Sequence, residues 1–467
     1  MRSKFRWLTW LLVMGMMVAA CGGDGASDTT AAAADEGDTG TETTAADEGD
    51  TGAETTMADE GDTGEAMDIA TDFGVDLEAG TISVGLLSDL TGAFGPLVSA
   101  IVAGYQAYID DLNANGGING MQVVLEVRDT GYIVDNHIQF YNELKDQVVM
   151  IGHSTGSPHT VAINADLQAD NMLAIPLTWY SGWSDSTINA NLLSHGTPYC
   201  VEAHNTIGYI VSEVAPEATT IAVAGFPGDY GQDSVQGAKL AAEAAGLEVV
   251  YDGEGAVIPT DETTLTSVAN AIADADPDIV WLVSNGTVFG AIFGQALAAG
   301  YEGIWSGASP SWSPALVAPD SPIKDAIAAS FIGGTYTAGW TTEGAEAFTP
   351  LLEAAGLPVS DYYFEGIVEA KIVEAALRAA YDSGDMTRAG VLAAGKSLEA
   401  VDFGGIAPPE SYVGADNDRL QRSGYIFAPD PEGLAAGTSG GRTDLEVGYT
   451  SELAANFAFS GACYTLS

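Results

Sequence analysis

The chain has 467 residues, with 65 Asp and Glu against 14 Lys and Arg, a formal net charge of −51. That balance excludes nucleic-acid binding, which needs a basic footprint on the phosphates. Hydrophobic residues make up 46% of the chain, so a large buried core is within reach, and the roughly 395 residues beyond residue 72 suggest two domains rather than one.

Arg2, Lys4 and Arg6 form a basic start, and Trp7 to Val18 is an apolar run. Ala19 and Ala20 are small residues directly before Cys21. Residues 1–20 therefore predict a signal peptide, too short to span a membrane. Val18-Ala19-Ala20-Cys21 resembles the bacterial lipobox, which implies lipidation of Cys21 and anchoring to the outer face of the cell membrane. Residues 21–71 predict a disordered acidic linker. Ala-Asp-Glu-Gly-Asp-Thr-Gly recurs at 34–40, 46–52 and 58–64, and such a composition cannot bury enough apolar surface to offset the entropy of ordering.

From about residue 72 short β-rich runs alternate with helical periodicity. Thr81 to Leu87 predicts a strand, and Pro96 to Asn115 a helix with Leu97, Ile101, Tyr105, Tyr108 and Leu112 on one face. Strands are expected at Val123–Val127, Val148–Ile151 and Leu173–Ile175. The pattern restarts with a strand at Thr220–Ala224, a helix at Ser234–Ala245 and a strand at Leu247–Tyr251. A helix at Leu265–Ala273, an apolar and hence central strand at Ile279–Val283, and a helix at Phe289–Ala299 follow. A strand at Phe331–Thr335 and a long helix at Tyr363–Asp382 complete the body. This alternation predicts parallel sheets built from βαβ units. Ligands of open α/β sheets bind beyond the carboxyl ends of the strands. The six loops there are rich in Gly, Ser, Thr, Asn, Trp and Tyr, which suits a small-molecule cleft.

Cys200 and Cys463 are either a disulfide, as an exported chain favours, or two separate buried thiols. His137, His153, His159, His195 and His204 lack metal-ligand spacing, and no metal or cofactor is expected. Gly152-His153-Ser154-Thr155-Gly156 fits the Gly-x-Ser-x-Gly pattern of hydrolase nucleophiles. A triad with His195 or His204 would be cramped, so no enzyme activity is expected.

The stretch ISVGLLSDLTGAFGPLVSAIVAGYQAYIDDLNANGGINGMQVVLEVRDTG at 82–131 carries Asp89-x-Thr91-Gly92 and Asn113-x-x-Gly116-Gly117-Ile118-x-Gly120. With Asp229-Tyr230-Gly231-Gln232 and PDIVWLVSNGTVFGAIFGQALAAG at 277–300, it resembles the type I periplasmic binding proteins. The likeness is greatest to the branched-chain amino-acid (Leu/Ile/Val)-binding branch that serves ABC transporters, and it covers about 80–430. It implies an α/β fold of two Rossmann-like lobes joined by a multi-strand hinge, with lobe 1 from 80–198 plus 335–405 and lobe 2 from 199–330 plus 406–467. It implies a monomer that closes on a small polar or amphipathic solute, a branched-chain or other hydrophobic amino acid being favoured, and serves an ABC permease. The ligand residues it implies are Phe94, Gly95, Thr155, Gly156, Ser157, Thr178, Trp179, Tyr180, Tyr230, Asn285 and Ser309. The amino-acid binders place an ammonium-pairing acid where Ser309 stands. Either Asp229 or Asp361 replaces it, or the ligand is an amide, urea or an aromatic carboxylate instead of an amino acid. A sensing receptor is the alternative outside transport.

Overall fold

Parallel strands buried on both faces read as continuous apolar runs, and two such strands organise the molecule. Met150–Thr155 and Ile279–Val283 are buried at every position. A computed structural model describes residues 68–465. The expected signal peptide, Cys21 and most of the linker lie outside the described residues. Ala70–Thr71 already pairs with Asp385–Met386, so the chain joins the fold before residue 72.

In the first lobe, Thr81–Ser88 pairs in parallel with Gln122–Asp129 on one side and with Met150–Thr155 on the other. Ala174–Leu177 extends this sheet in parallel. The second lobe carries four parallel strands in the order Ile304–Ser306, Ile279–Val283, Thr220–Gly225, Glu248–Gly253. Ile279–Val283 is interior, as its apolar sequence predicts. A third sheet is antiparallel and joins Gly333–Thr335, Gly424–Pro429 and Arg442–Tyr449.

The helix Gly95–Ala114 turns Ile101, Tyr105, Ile109 and Leu112 inward. It packs on Tyr363–Asp382 at backbone contact. A Cβ on Gly104 would lie 2.3 Å from the Tyr363 carbonyl oxygen, and one on Gly366 would lie 1.9 Å from that of Ile101. Only glycine permits this approach. The helix Tyr199–Tyr209, which no periodicity announced, packs on Asp229–Ala245 in the second lobe. The structure bonds Cys200 on that helix to Cys463 in the C-terminal tail. Among the described residues no helix is long and apolar enough to cross a membrane.

The structure is in a closed state, with the lobes touching across the cleft. Ser181, after the last strand of the first sheet, donates its amide (2.9 Å) and its hydroxyl (2.5 Å) to Asp233 of the second lobe. Tyr362 donates its hydroxyl to the Trp312 carbonyl at 3.0 Å.

Candidate functional site

The site is assembled at the carboxyl ends of the strands. The Asp89 carboxylate accepts the amides of Gly92 (2.6 Å) and Phe94 (2.8 Å). This turn holds Phe94 at the start of the helix Gly95–Ala114 and over the cleft. Phe94 meets Tyr132 edge-on at 5.0 Å and Tyr230 of the opposite lobe at 6.0 Å. Leu97 and Val98, in the first turn of the same helix, add an aliphatic wall.

The strand Met150–Thr155 runs through Gly156 into the helix Ser157–Ala169. Gly156 has φ +94, and a Cβ there would lie 2.5 Å from His159 Nδ1. This sharp turn brings the helix N-terminus to the cavity, with its unpaired amides and partial positive charge. Ser157 and Thr178 share a hydrogen bond between their hydroxyls. Thr155, Gly156, Ser157 and Thr178 therefore form one polar end.

Alternation along the strand sends His153 and Thr155 to one side and Ser154 to the other. Ser154 is buried against His137 (3.1 Å) and Thr160 (2.8 Å), away from the cavity. The serine of the hydrolase-like pattern thus faces the core. His153 Nε2 instead lies 2.7 Å from Thr155 Oγ1, and Nδ1 lies 2.7 Å from Glu369 Oε2. Carboxylate, imidazole and hydroxyl form a chain that ends in the cavity. Burial pushes the Glu369 carboxyl up, against the pull of His153.

The other wall is aromatic. Trp179 packs on Tyr199 at 5.8 Å, and Tyr199 on Tyr230 at 4.9 Å. Tyr230 donates its hydroxyl to the Ser284 carbonyl at 2.7 Å. Burial drives the Tyr199 and Tyr230 phenols far up, so both stay neutral. The cavity has a volume of about 30 Å³, and no Asp, Glu, Lys, Arg or His lines it.

Of the residues expected from sequence, Phe94, Thr155, Gly156, Ser157, Thr178, Trp179 and Tyr230 meet at this cavity. Gly95 lies behind it, pressed on the Leu90 carbonyl. Tyr180 turns into an apolar cluster with Trp183 and donates its hydroxyl to the Tyr464 carbonyl at 2.7 Å. Asn285 caps the helix Gly286–Ala298, accepting the Val288 amide at 3.0 Å, and borders a separate outer cavity. Ser309 donates its amide to Glu202 at 2.9 Å. Leu97, Val98, Tyr132, Leu177, Tyr199 and Pro310 complete the lining without having been expected.

Neither acid offered as a replacement at Ser309 lines the cavity. Asp361 is held by Arg442 at 3.4 Å and by the Trp340 amide at 2.6 Å. Asp229 is buried, and burial pushes its carboxyl up to about 6. Glu202 reaches the Ser309 position from another helix, and burial holds its carboxyl well above the usual range.

A family model described as "Periplasmic binding protein" matches residues 81–433. A Leu/Ile/Val-binding protein homolog 8 of Brucella abortus is 24% identical over 320 residues, covering 64% of this chain and 76% of that one. Two solved structures are similar. The fatty acid ABC transporter substrate-binding protein from Thermomonospora curvata is 28% identical, with a TM-score of 0.76, covering 84% of this chain and 98% of its own. A branched chain amino acid ABC transporter protein from Thermus thermophilus with bound valine is 18% identical, with a TM-score of 0.67, covering 80% and 97%.

Proposed function

The chain belongs to the periplasmic binding protein family, whose members are extracytoplasmic solute-binding proteins, and on that premise we propose that it captures an apolar carboxylate for an ABC permease. One observation carries this reading: the cavity combines hydroxyls and a helix N-terminus with aromatic and aliphatic walls, and it holds no charged side chain. A carboxylate is satisfied by such donors. An α-ammonium would be buried beside them without a partner, which is costly. The similarity to the Thermomonospora curvata fatty acid protein supports the same class.

In this reading Thr155, Ser157 and Thr178 hold the carboxylate. Phe94, Trp179, Tyr199 and Tyr230 wall the same cavity with aromatic surface. Lobe 1 (80–198 plus 335–405) and lobe 2 (199–330 plus 406–467) close about the hinge, because ligand contacts from both favour the closed state. Residues 1–20 direct export, lipidated Cys21 anchors the chain, and the acidic segment carries a monomeric body off the membrane.

A thermal-shift screen tests the reading with octanoate, benzoate, leucine, acetamide and urea. Ligand at a hundred times its Kd adds about 2.7 kcal/mol. A rise in Tm with the carboxylates is expected, and a rise only with acetamide or urea would refute it. The Thr155–His153–Glu369 chain favours one second reading, ester hydrolysis with Thr155 as nucleophile. Turnover of p-nitrophenyl butyrate that disappears in Thr155→Val would establish it, and no turnover would retire it.

A further inference from the structure

The cavity at the strand ends is too small for a whole solute. Its volume of about 30 Å³ accommodates one or two waters, or a carboxylate group and little more. Beside it lies a second cavity of about 360 Å³ in the mouth of the interlobe cleft. Phe94, Leu97 and Pro310 line both, so these three side chains are the partition between them. Beyond the partition the outer cavity is bordered by Ala100, Trp312, Pro314 and Val359. Trp312 is buried and stacks on Phe331 at 5.3 Å, which gives the outer cavity a rigid apolar side. Around the opening Asn285, Ser313 and Ser360 add polar groups that carry no charge.

We propose that the outer cavity is a binding subsite for the extended hydrocarbon chain of the ligand, whose carboxylate sits in the inner cavity. This rests on the carboxylate reading above and narrows it to elongated amphiphiles. The inner cavity supplies the clustered hydroxyls and the helix N-terminus, and almost no volume. The outer one supplies volume and apolar wall. Phe94 is held by its backbone through Asp89, and its ring packs on other rings. Its ring can therefore turn aside for a chain without loss of a hydrogen bond. A compact solute would leave the outer cavity to water, whereas a chain passing Phe94 and Leu97 buries apolar surface on both sides of the partition.

Calorimetric Kd values for butyrate, octanoate and dodecanoate test this on the whole protein and on Ala100→Phe and Ala315→Phe. Both positions border the outer cavity and neither lines the inner one. Each further buried CH₂ tightens binding about fourfold, so dodecanoate should bind at least about 100-fold more tightly than butyrate. Both variants should leave butyrate unchanged and weaken dodecanoate at least about tenfold. Affinity that stops rising after butyrate, or variants that affect all lengths alike, would overturn the subsite while leaving the carboxylate reading intact. Failure of every carboxylate to bind would overturn both.

Discussion

His153 Nδ1 lies 2.7 Å from a Glu369 carboxylate oxygen, and neither side chain has any exposure. The opposite nitrogen of the same ring lies 2.7 Å from Thr155 Oγ1, on the cavity. Whether the buried Glu369 carboxyl holds its proton decides which way the Thr155 hydroxyl points. While the Glu369 carboxyl is protonated it donates to Nδ1, so Nε2 carries hydrogen and donates to Thr155. The Thr155 O–H then donates into the cavity, towards an anion. When that proton leaves, Nε2 accepts from Thr155, and the hydroxyl presents lone pairs to the ligand.

Carboxylate affinity should therefore fall as pH rises, above the titration of the ligand itself. The facing groups leave the assignment to Glu369. His195, 3.9 Å from Glu369, and His137 are held down to about 3 by burial, and burial keeps the Tyr105 and Tyr336 phenols protonated. Calorimetry of octanoate from about pH 6 to about pH 9 would read the slope. Glu369→Gln should flatten it, because the amide has no proton to lose. Thr155→Val should weaken octanoate about 10- to 100-fold, the worth of a hydrogen bond to a charged group. A flat wild-type profile would count against the coupling.

The body should become more stable on mild acidification. Burial raises Asp361 to about 6, Asp233 and Glu410 to about 7, and Glu365 to about 8, against ordinary values of 3.8 for Asp and 4.5 for Glu. The folded state holds these protons to higher pH than the unfolded chain does. Their contribution is thus full below the ordinary carboxylate range and is lost as pH rises through about 6 to about 8. Scanning calorimetry should give a higher Tm near pH 5 than near pH 8 (about). The opposite order would mean that these carboxylates ionise without penalty.

The Cys200–Cys463 bond closes a loop across a sequence separation of 263 residues. Loop-closure entropy assigns such a bond about 5 kcal/mol. It also fixes the tail against both lobes, since Cys463 donates its amide to Ser181 and Tyr464 donates its own to Asp233. Reduction, or Cys463→Ser, should lower Tm by several degrees and increase hydrogen exchange of the tail amides. An unchanged Tm would mean that the noncovalent contacts hold the tail alone.

The fold was legible in the sequence where periodicity is strong. The helix Tyr363–Asp382 and the strand Ile279–Val283 have the expected ends. The strand expected at Val148–Ile151 instead spans Met150–Thr155, because Gly152, His153 and Ser154 look loop-like yet pair inside a parallel sheet. In the cavity lining, Thr155 and Ser157 were reached through the family resemblance, at the end of a strand and the start of the next helix. Tyr132 and Tyr199 were not: each reaches the cavity from a segment without periodic signal, Tyr132 at φ +59. Glu369 lies 216 residues from His153, and nothing local in sequence joins them. Tyr180 follows Trp179 directly but faces the opposite way, a choice made by the packing of the tail.

Leucine and isocaproate share one carbon skeleton and differ by the α-ammonium, so their Kd values, measured side by side by calorimetry, bear directly on the cavity without charged side chains. Isocaproate should bind at least about 100-fold more tightly, since an unpaired buried ammonium costs several kcal/mol. Tighter binding of leucine would contradict the account. It would point to Glu202 or Asp229 as the ammonium partner, for Glu202 Oε2 and Asp229 Oδ2 are both buried with no hydrogen-bond partner among the described residues.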